Sequence, residues 1–170
     1  GRGAVPELSL AQNILLSHQD GATVRHGFVR QAAIRNLAAG IIERFRVRAV
    51  GSWAPAASLS GGNLQKYIIG REVARKPTVL LVAQPTWGVD VGAAAQIRAE
   101  LLDLRDAGCA VLVVSEELDE LFEISDRLVV MAKGRMSPSI KAGEADMDLV
   151  GRWMSGLWTA NHTEAQHVQA

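Results

Sequence analysis

The sequence predicts an α/β fold, in which the strands of a parallel sheet alternate with helices and a mainly helical segment comes first. Three continuous apolar runs have the length of strands, and they span Thr78–Ala83, Ala110–Ser115 and Leu128–Met131. Unbroken runs of this kind are typical of strands buried on both faces of a parallel sheet. Segments with helical spacing lie between the runs, so we expect right-handed crossovers between parallel strands.

The first third of the chain is predicted to be helical. Ser9-Leu-Ala-Gln12 has the pattern of a capping box, which opens a short helix that continues through Leu16. A polar turn follows at Gln19–Gly21. A second helix is expected from Phe28 to about Phe45, because apolar residues recur there at helical spacing with arginines between them.

The helices of the remaining chain are predicted from their caps and apolar faces. Ser60 is a good N-cap for a helix whose inward face would carry Leu64, Ile68 and Val73. The expected helices run from Asn63 to about Arg75, from Ala93 to Ala107, from Glu116 to about Ile124 and from about Ala145 to Trp153. The polar residues 159–170 lack periodicity, so we expect a disordered tail there.

Composition excludes several classes of protein. The 18 basic side chains balance the 18 acidic ones, which argues against a nucleic-acid-binding surface. No stretch approaches the roughly 18 apolar residues that span a membrane, and no signal peptide opens the chain. The single cysteine, Cys109, excludes an internal disulfide and lies in an apolar run, so we expect a buried thiol in a soluble, cytosolic domain. No metal site is predicted, because the four histidines lack ligand spacing and are expected to be solvated: His18, His26, His162 and His167.

Leu59-Ser-Gly-Gly-Asn-Leu-Gln-Lys66 is the first candidate site. Two glycines after a serine let the backbone approach a ligand closely, and the free N–H groups at a helix start favour an anion. Taken alone, Ser-Gly-Gly favours the simpler interpretation, a plain helix start after a tight turn.

Val82-Ala-Gln-Pro-Thr-Trp-Gly-Val-Asp-Val-Gly92 is the second candidate site. In an open parallel sheet, ligands lie beyond the carboxyl ends of the strands, where this segment emerges. Gln84 could orient a water or a phosphate oxygen there, but an amide cannot act as a general base. The alternative is a structural turn in which Asp90 caps the next helix. Trp87 in this turn is either a cover for the end of the sheet, which is favoured, or a stacking platform for a base.

Val114-Ser-Glu-Glu-Leu-Asp-Glu120 is the third candidate site. Its four carboxylates could bind a metal. They also complement the dipole at the start of a helix, which explains all of them without a ligand.

In combination, these strings resemble the nucleotide-binding domain of an ABC transporter. Leu59-Ser-Gly-Gly-Asn63 looks like the signature motif, Val79-Leu-Leu-Val-Ala-Gln-Pro-Thr86 like a Walker B strand with its turn, and Gly88-Val-Asp90 like the D-loop. Glu116 stands where the switch histidine normally falls. Ser125-Asp-Arg-Leu-Val-Val-Met131 and Lys133-Gly134 match the strand and turn that follow. The resemblance extends to about residue 156 and implies a partial P-loop NTPase domain of the ABC type.

The residues at the variable positions of these motifs resemble those in the second ATPase half of tandem importers for nucleosides or simple sugars. Sugar importers more often read Asn-Gln-Gln-Lys after the signature glycines and keep Asp-Glu before Pro-Thr, so the nucleoside branch is preferred. Such importers work with a pair of membrane permeases and an extracytoplasmic binding lipoprotein. The implied location is the inner face of the cell membrane.

Departures from the family pattern are as informative as the matches. Walker A, Gly-x-x-x-x-Gly-Lys-Ser/Thr, and the Q-loop are absent from the sequence. Ala83 stands at the magnesium-site aspartate, Gln84 at the catalytic glutamate and Glu116 at the switch histidine. The family hydrolyses ATP, but the resemblance with these replacements implies a chain that has no catalytic residue of its own and does not hydrolyse ATP alone.

The resemblance also implies a role for the residues that remain. Ser60, Gly61, Gly62 and Asn63 would bind the ATP held by the Walker A of a partner half, in the same chain or in trans, and Asp90 would lie at the seam between the halves. ATP and Mg²⁺ would be held only by a complete pair of domains. Three alternatives stay open: a truncated remnant, a non-catalytic module that docks on an intact ATPase, and, with a poorer match, a soluble ABC translation factor. The expected organisation is a helical subdomain at residues 1–57, the ATPase core at 58–157 and the tail at 158–170.

Overall fold

A computed structural model describes residues 3–158, which form two compact units. The first unit ends at Glu116 and the second begins at Glu117. This division does not test the predicted boundary between residues 57 and 58, which stays a prediction. The predicted tail lies outside the described residues, apart from Trp158.

The first unit carries four helices, a short hairpin and a two-stranded parallel sheet. The helices are α1 (Leu10–Asn13), α2 (Gln31–Arg44), α3 (Gly61–Ala74) and α4 (Val91–Asp106), and 3₁₀ turns cover Ile14–Leu16 and Ala56–Ser58. Strands β1 (Val24–Arg25) and β2 (Phe28–Val29) pair antiparallel, and β3 (Val79–Ala83) pairs parallel with β4 (Ala110–Val114). The predicted order of helices and strands is therefore confirmed, whereas the hairpin falls partly in a region where a helix was expected.

Most of the predicted helix starts are confirmed. Ser9 and Gln12 form the expected capping box, and Ser60 and Asp90 are N-caps whose side chains accept from backbone N–H groups. Helix α2 begins three residues later than predicted, because the hairpin turn at His26 and Gly27 takes positive φ angles of 49° and 80° and closes the strand pair.

The core of the first unit lies among its helices. Residues that are completely or almost completely buried come from α1, α2, α3 and α4 and the turns beside them, and they include Leu10, Ile14, Ile34, Phe45, Tyr67 and Ile97. Of the predicted inward face of α3, Val73 is buried, whereas Leu64 and Ile68 are half-buried. Gly70 lets α3 approach α2 closely, since a Cβ atom there would lie 2.6 Å from the Phe45 ring.

The expectation that the strands are buried on both faces is wrong for the described residues. Alternate side chains of β3 are open to solvent, with Val79 66% and Leu81 69% exposed, and Leu112 of β4 shares this open face. Helix α4 packs on β4. Leu80 and Val82, which alternate along β3 with the exposed side chains, are buried. A continuous apolar run does not reveal which of its two faces is covered, because both faces read as apolar.

The second unit has helices α5 (Leu118–Ile124) and α6 (Met147–Met154) and two antiparallel strand pairs. Strand β5 (Arg127–Leu128) pairs with β8 (Ile140–Lys141), and β6 (Met131–Ala132) pairs with β7 (Arg135–Met136). The prediction of one parallel strand over Leu128–Met131 is therefore wrong. The turn at Lys133 and Gly134, with φ of 52° and 71°, folds β6 back on β7, and Ser137 binds the backbone of Val130 between the two pairs.

Two side chains depart from their expected exposure. His18 was expected to be solvated, but it is buried and its Nε2 atom lies 2.9 Å from the carbonyl oxygen of Arg71. Trp87 was expected to cover the end of the sheet, but it is 75% exposed. Cys109 is buried, as predicted.

Candidate functional site

The N-terminus of α3 is the first part of the candidate site. The backbone of Ser60 is extended, and its hydroxyl oxygen accepts from the N–H of Asn63. Gly61 and Gly62 form the first turn, where backbone N–H groups have no acceptor within the helix. Ser60 and Gly61 are exposed. An exposed first turn of a long helix favours an anion, because free N–H groups and the helix dipole act together.

Gly62 lies directly against the loop that follows β3. A Cβ atom on Gly62 would be 2.7 Å from the carbonyl oxygen of Gly88 and 3.4 Å from the Cα atom of Val89. A Cβ atom on Gly61 would meet nothing within 4 Å. The two glycines therefore serve different purposes: Gly62 permits a close backbone approach within the chain, and Gly61 leaves the outer side of the turn open.

Gln84 turns the chain out of β3 and is held through its backbone. Its φ is 50°, a left-handed conformation that residues with a side chain rarely adopt. Its N–H donates to the carbonyl oxygen of Val114 at 2.7 Å, which extends the pairing of β3 and β4. Its carbonyl oxygen accepts from the Nε2 atom of Gln65 at 3.1 Å, so α3 is tied to this loop.

Asp90 ends the same loop and caps α4. Its Oδ1 atom accepts from the N–H of Ala93 at 2.9 Å. This backbone hydrogen bond lowers the pKa of the Asp90 carboxyl below its ordinary value, and the charge of Lys66 acts in the same direction. The Lys66 side chain is buried and donates to the carbonyl oxygen of Arg46 at 2.9 Å. Capping by Asp90 is confirmed, and a second role at a seam between domains stays a prediction.

Asn63 uses its side-chain amide inside the chain. Its Oδ1 atom accepts from the backbone N–H of Arg48 at 2.8 Å, and its Nδ2 atom donates to the hydroxyl oxygen of Ser60 at 2.9 Å. No sequence pattern indicates the contact with Arg48, which lies 15 residues earlier in the chain.

Glu116 follows β4 at the same edge of the sheet at which Gln84 follows β3. The register pairs Ala83 with Val114, so the parallel strands end side by side. Glu116 is exposed, and Asp119 and Glu120 stand in the first turn of α5. Acidic residues thus stand in the first turn of α5, as predicted by the interpretation that they complement the helix dipole.

Comparison with known proteins shows extensive similarity to importer ATPases. The chain is 41% identical over 155 residues to the nucleoside import ATP-binding protein NupA of Lactococcus lactis, which covers 91% of the chain and 31% of that protein. It is 41% identical to the ribose import ATP-binding protein RbsA 2 of Rhizobium etli, over 94% of the chain and 32% of that protein. It is 39% identical to the guanosine import ATP-binding protein NupO of Bacillus subtilis, over 91% of the chain and 30% of that protein. No protein-family model matches the chain.

Solved structures with the same fold are ABC cassettes. An ATP-binding subunit of an ABC transporter superposes with a TM-score of 0.70 at 19% identity, over 91% of this chain and 66% of that one. A dimeric ATP-binding cassette bound to ADP and Pi gives a TM-score of 0.66 at 21% identity, over 82% and 59%. The chain matches a part of an ABC ATPase domain. It spans about a third of the length of the importer ATPases it resembles.

The chain fits one of the two cofactors that the resemblance implies. The first turn of α3, with the Ser60 hydroxyl and the N–H groups of Gly61 and Gly62, suits the phosphates of ATP. Within residues 3–158, no group of three or more His, Cys, Asp or Glu side chains could hold a metal. Ala83 has no ligand atom and Gln84 offers only an amide, so the residues present do not fit Mg²⁺ and no step through it follows from them.

Proposed function

We propose that the chain is the signature-bearing part of an ATP-binding subunit of an importer for nucleosides or simple sugars. Its task is to complete an ATP site whose phosphate-binding loop belongs to a partner half. The exposed first turn of α3, with Ser60, Gly61 and Gly62, is the observation that carries the proposal. The names of the relatives, which import nucleosides, guanosine and ribose, support the substrate class.

The mechanism follows from where free hydrogen-bond donors lie. When the partner half presents ATP to α3, the Ser60 hydroxyl and the N–H groups of Gly61 and Gly62 donate to oxygens of the γ-phosphate. The positive end of the helix dipole adds to this attraction. These contacts exist only while the two halves are closed, so ATP holds the halves together and hydrolysis releases them.

The chain's own catalytic position is degenerate in this proposal. A general base must accept a proton near neutral pH, and the Gln84 amide cannot do so. Ala83 removes the carboxylate expected beside it, and Glu116 places a negative charge where a γ-phosphate sensor would stand. The site formed by these three residues therefore holds nucleotide, at most, without turning it over.

The loop from Gln84 to Asp90 is proposed to couple the two ATP sites. It contacts the first turn of α3 through Gly62 and Gln65, so a shift of one reaches the other. Asp90 is exposed and already caps α4, which fixes its position at the end of the loop.

The proposed partners are the Walker A-bearing half, a pair of membrane permeases and, indirectly, an extracytoplasmic binding protein. The proposed location is the cytoplasmic face of the cell membrane, where the permeases hold the ATPase. Within residues 3–158, no helix is both long and apolar enough to cross a membrane. Attachment would then depend on contacts with the permeases.

The test uses a hybrid subunit, in which this chain replaces the segment that it matches in the Lactococcus lactis relative. Ser60→Arg fills the open side of the first turn, so we expect ATP hydrolysis and nucleoside import to fall by at least about a hundredfold. Ser155→Arg is the control, because it places the same side chain at another exposed serine. Unchanged hydrolysis and import in the Ser60→Arg hybrid would refute the proposed role of the signature loop.

A docking module that acts in trans gives a different result. The purified chain would then bind a Walker A-bearing ATPase only when ATP is present, and Ser60→Arg would abolish that binding.

A further inference from the structure

The side chain of Asn63 bridges Ser60 and the segment before the 3₁₀ turn at Ala56–Ser58. Its Nδ2 atom donates to the Ser60 hydroxyl oxygen at 2.9 Å, and its Oδ1 atom accepts from the Arg48 N–H at 2.8 Å. The backbone N–H can only donate, so the end of the amide that faces Arg48 must be the oxygen. The end that faces Ser60 is therefore the NH₂ group.

The number of bonds that the Ser60 hydroxyl can make decides what remains for a ligand. A hydroxyl oxygen has two lone pairs and one proton. The backbone N–H of Asn63 and its Nδ2 atom both donate to this oxygen, at 3.4 Å and 2.9 Å. Both lone pairs are thereby directed into the chain, and the hydroxyl proton is left to point outwards from an exposed serine.

The capping box at α1 shows the opposite arrangement in the same chain. There the side-chain oxygen of Gln12 accepts from the Ser9 backbone N–H at 2.9 Å and from the Ser9 hydroxyl at 3.1 Å. The proton of Ser9 is used within the box, whereas the proton of Ser60 is not. The residue three positions after the cap thus decides whether the serine can donate to a ligand.

Distances at the helix caps show that the backbone bond to Ser60 is the longest of the three. The cap bond from the Asn63 N–H to Ser60 is 3.4 Å long, against 3.1 Å at Ser9 and 2.9 Å at Asp90. A bond of 3.4 Å is weak, so the stronger hold on the Ser60 hydroxyl comes from the Asn63 side chain.

The segment that holds the other end of the amide is itself fixed to α3. Val47 is buried, and the Lys66 ammonium donates to the carbonyl oxygen of Arg46 at 2.9 Å. The Arg48 N–H is therefore presented to Asn63 from a rigid support, which fixes the direction of the amide.

We propose that Asn63 is a positioning residue, which orients the Ser60 hydroxyl so that its proton is donated to the γ-phosphate. The proposal rests on the proposed function, in which Ser60 contacts ATP. It differs from the expectation that Asn63 itself binds the nucleotide, because both ends of its amide are engaged within the chain.

The first test measures the Ser60 side chain in the purified chain by NMR. Three-bond couplings should show one χ1 rotamer in the wild type and averaging over rotamers in Asn63→Ala. The melting temperature should not fall, because alanine is the best helix former and the lost hydrogen bonds are exposed. Asn36→Ala, at an exposed position of α2, is the matched control. An unchanged single rotamer in Asn63→Ala would overturn the proposal.

The second test is a double-mutant cycle in the hybrid subunit, read as kcat/KM for ATP. Ser60→Ala and Asn63→Ala should each lower this value by about three- to tenfold, as expected for one hydrogen bond. In the double variant the fall should equal that of Ser60→Ala alone, because Asn63 acts only through Ser60.

The outcomes separate this proposal from the proposed function. If neither Ser60→Ala nor Ser60→Arg changes the activity, that result contradicts the proposed function. A fall with Ser60→Ala but none with Asn63→Ala overturns the positioning role alone. Falls that multiply in the double variant show a separate contact between Asn63 and the nucleotide, which also overturns it.

Discussion

Gly61 and Gly62 should respond in opposite ways to the same substitution. A Cβ atom on Gly62 would lie 2.7 Å from the carbonyl oxygen of Gly88, whereas a Cβ atom on Gly61 would meet nothing within 4 Å. Alanine at Gly62 must therefore push the loop after β3 away from α3 by roughly 0.5 Å, because backbone atoms of this loop lie in the way of the new methyl group. Alanine at Gly61 needs no such movement.

The expected magnitudes follow from these distances. Overpacking of this size costs about 1–3 kcal/mol, and replacing glycine by alanine in a helix returns about 0.5–1 kcal/mol. Gly62→Ala should therefore lower the free energy of unfolding by about 1–2 kcal/mol. Gly61→Ala should leave it unchanged or raise it by about 0.5 kcal/mol.

Urea denaturation of the purified chain measures both changes, provided that the slope with denaturant stays constant. In the hybrid subunit, Gly61→Ala should still lower kcat/KM for ATP, because the new methyl group stands on the open side of the first turn. The reasoning is refuted if both variants shift the denaturation midpoint in the same direction by the same amount.

Three further predictions concern the packing of glycines in the helices, the pH dependence of stability and the role of Gln84. Gly70→Ala should destabilise the chain by about 1–3 kcal/mol, because its Cβ would be 2.6 Å from the Phe45 ring. Gly40→Ala, at an exposed position of α2, should instead stabilise the chain slightly. Equal denaturation midpoints of the two variants would contradict this expectation. Burial raises the pKa of the Tyr67 phenol, whose hydroxyl donates to the Leu10 carbonyl oxygen. The preference of the folded chain for the neutral phenol therefore stabilises it fully below about pH 10, and this stabilisation is lost as pH rises further. Absorbance at 295 nm should show the only tyrosine ionising together with the loss of helical circular dichroism, and ionisation of a still-folded chain near pH 10 would argue against it. Gln84→Ala should change the turnover of the hybrid by less than about tenfold, since the backbone hydrogen bonds of Gln84 remain, and a larger loss would assign Gln84 a catalytic role.

Local chemistry explains which features the sequence predicts well. A cap is decided by residues three positions apart, so Ser9, Ser60 and Asp90 could be assigned from their neighbours alone. The order of helices and strands also follows from local periodicity. The candidate anion site is accordingly placed by sequence, because it is a helix start with two glycines.

Contacts between distant segments explain what the sequence does not predict. The bond between the Arg48 N–H and Asn63, and the approach of Gly62 to Gly88, depend on how α3 packs against two separate loops. No periodicity encodes them. The strand expected at Leu128–Met131 failed for a related reason, since its apolar run continues across the point where pairing passes from β8 to β7.

The two halves of the candidate site differ in how firmly the chain itself supports them. Helix α3, which is capped by Ser60, sends Tyr67, Ile69 and Val73 into the helical core. Gln84 and Glu116 instead follow two strands whose other apolar face is open, and an isolated strand pair is only marginally stable. The residues proposed to act on a partner's ATP thus stand at the start of a helix that is anchored in this core. Gln84 and Glu116 stand on an edge whose stability depends on whatever covers Leu81 and Leu112. This distribution is what a subunit segment needs if it supplies a rigid signature loop and no longer performs hydrolysis at its own site.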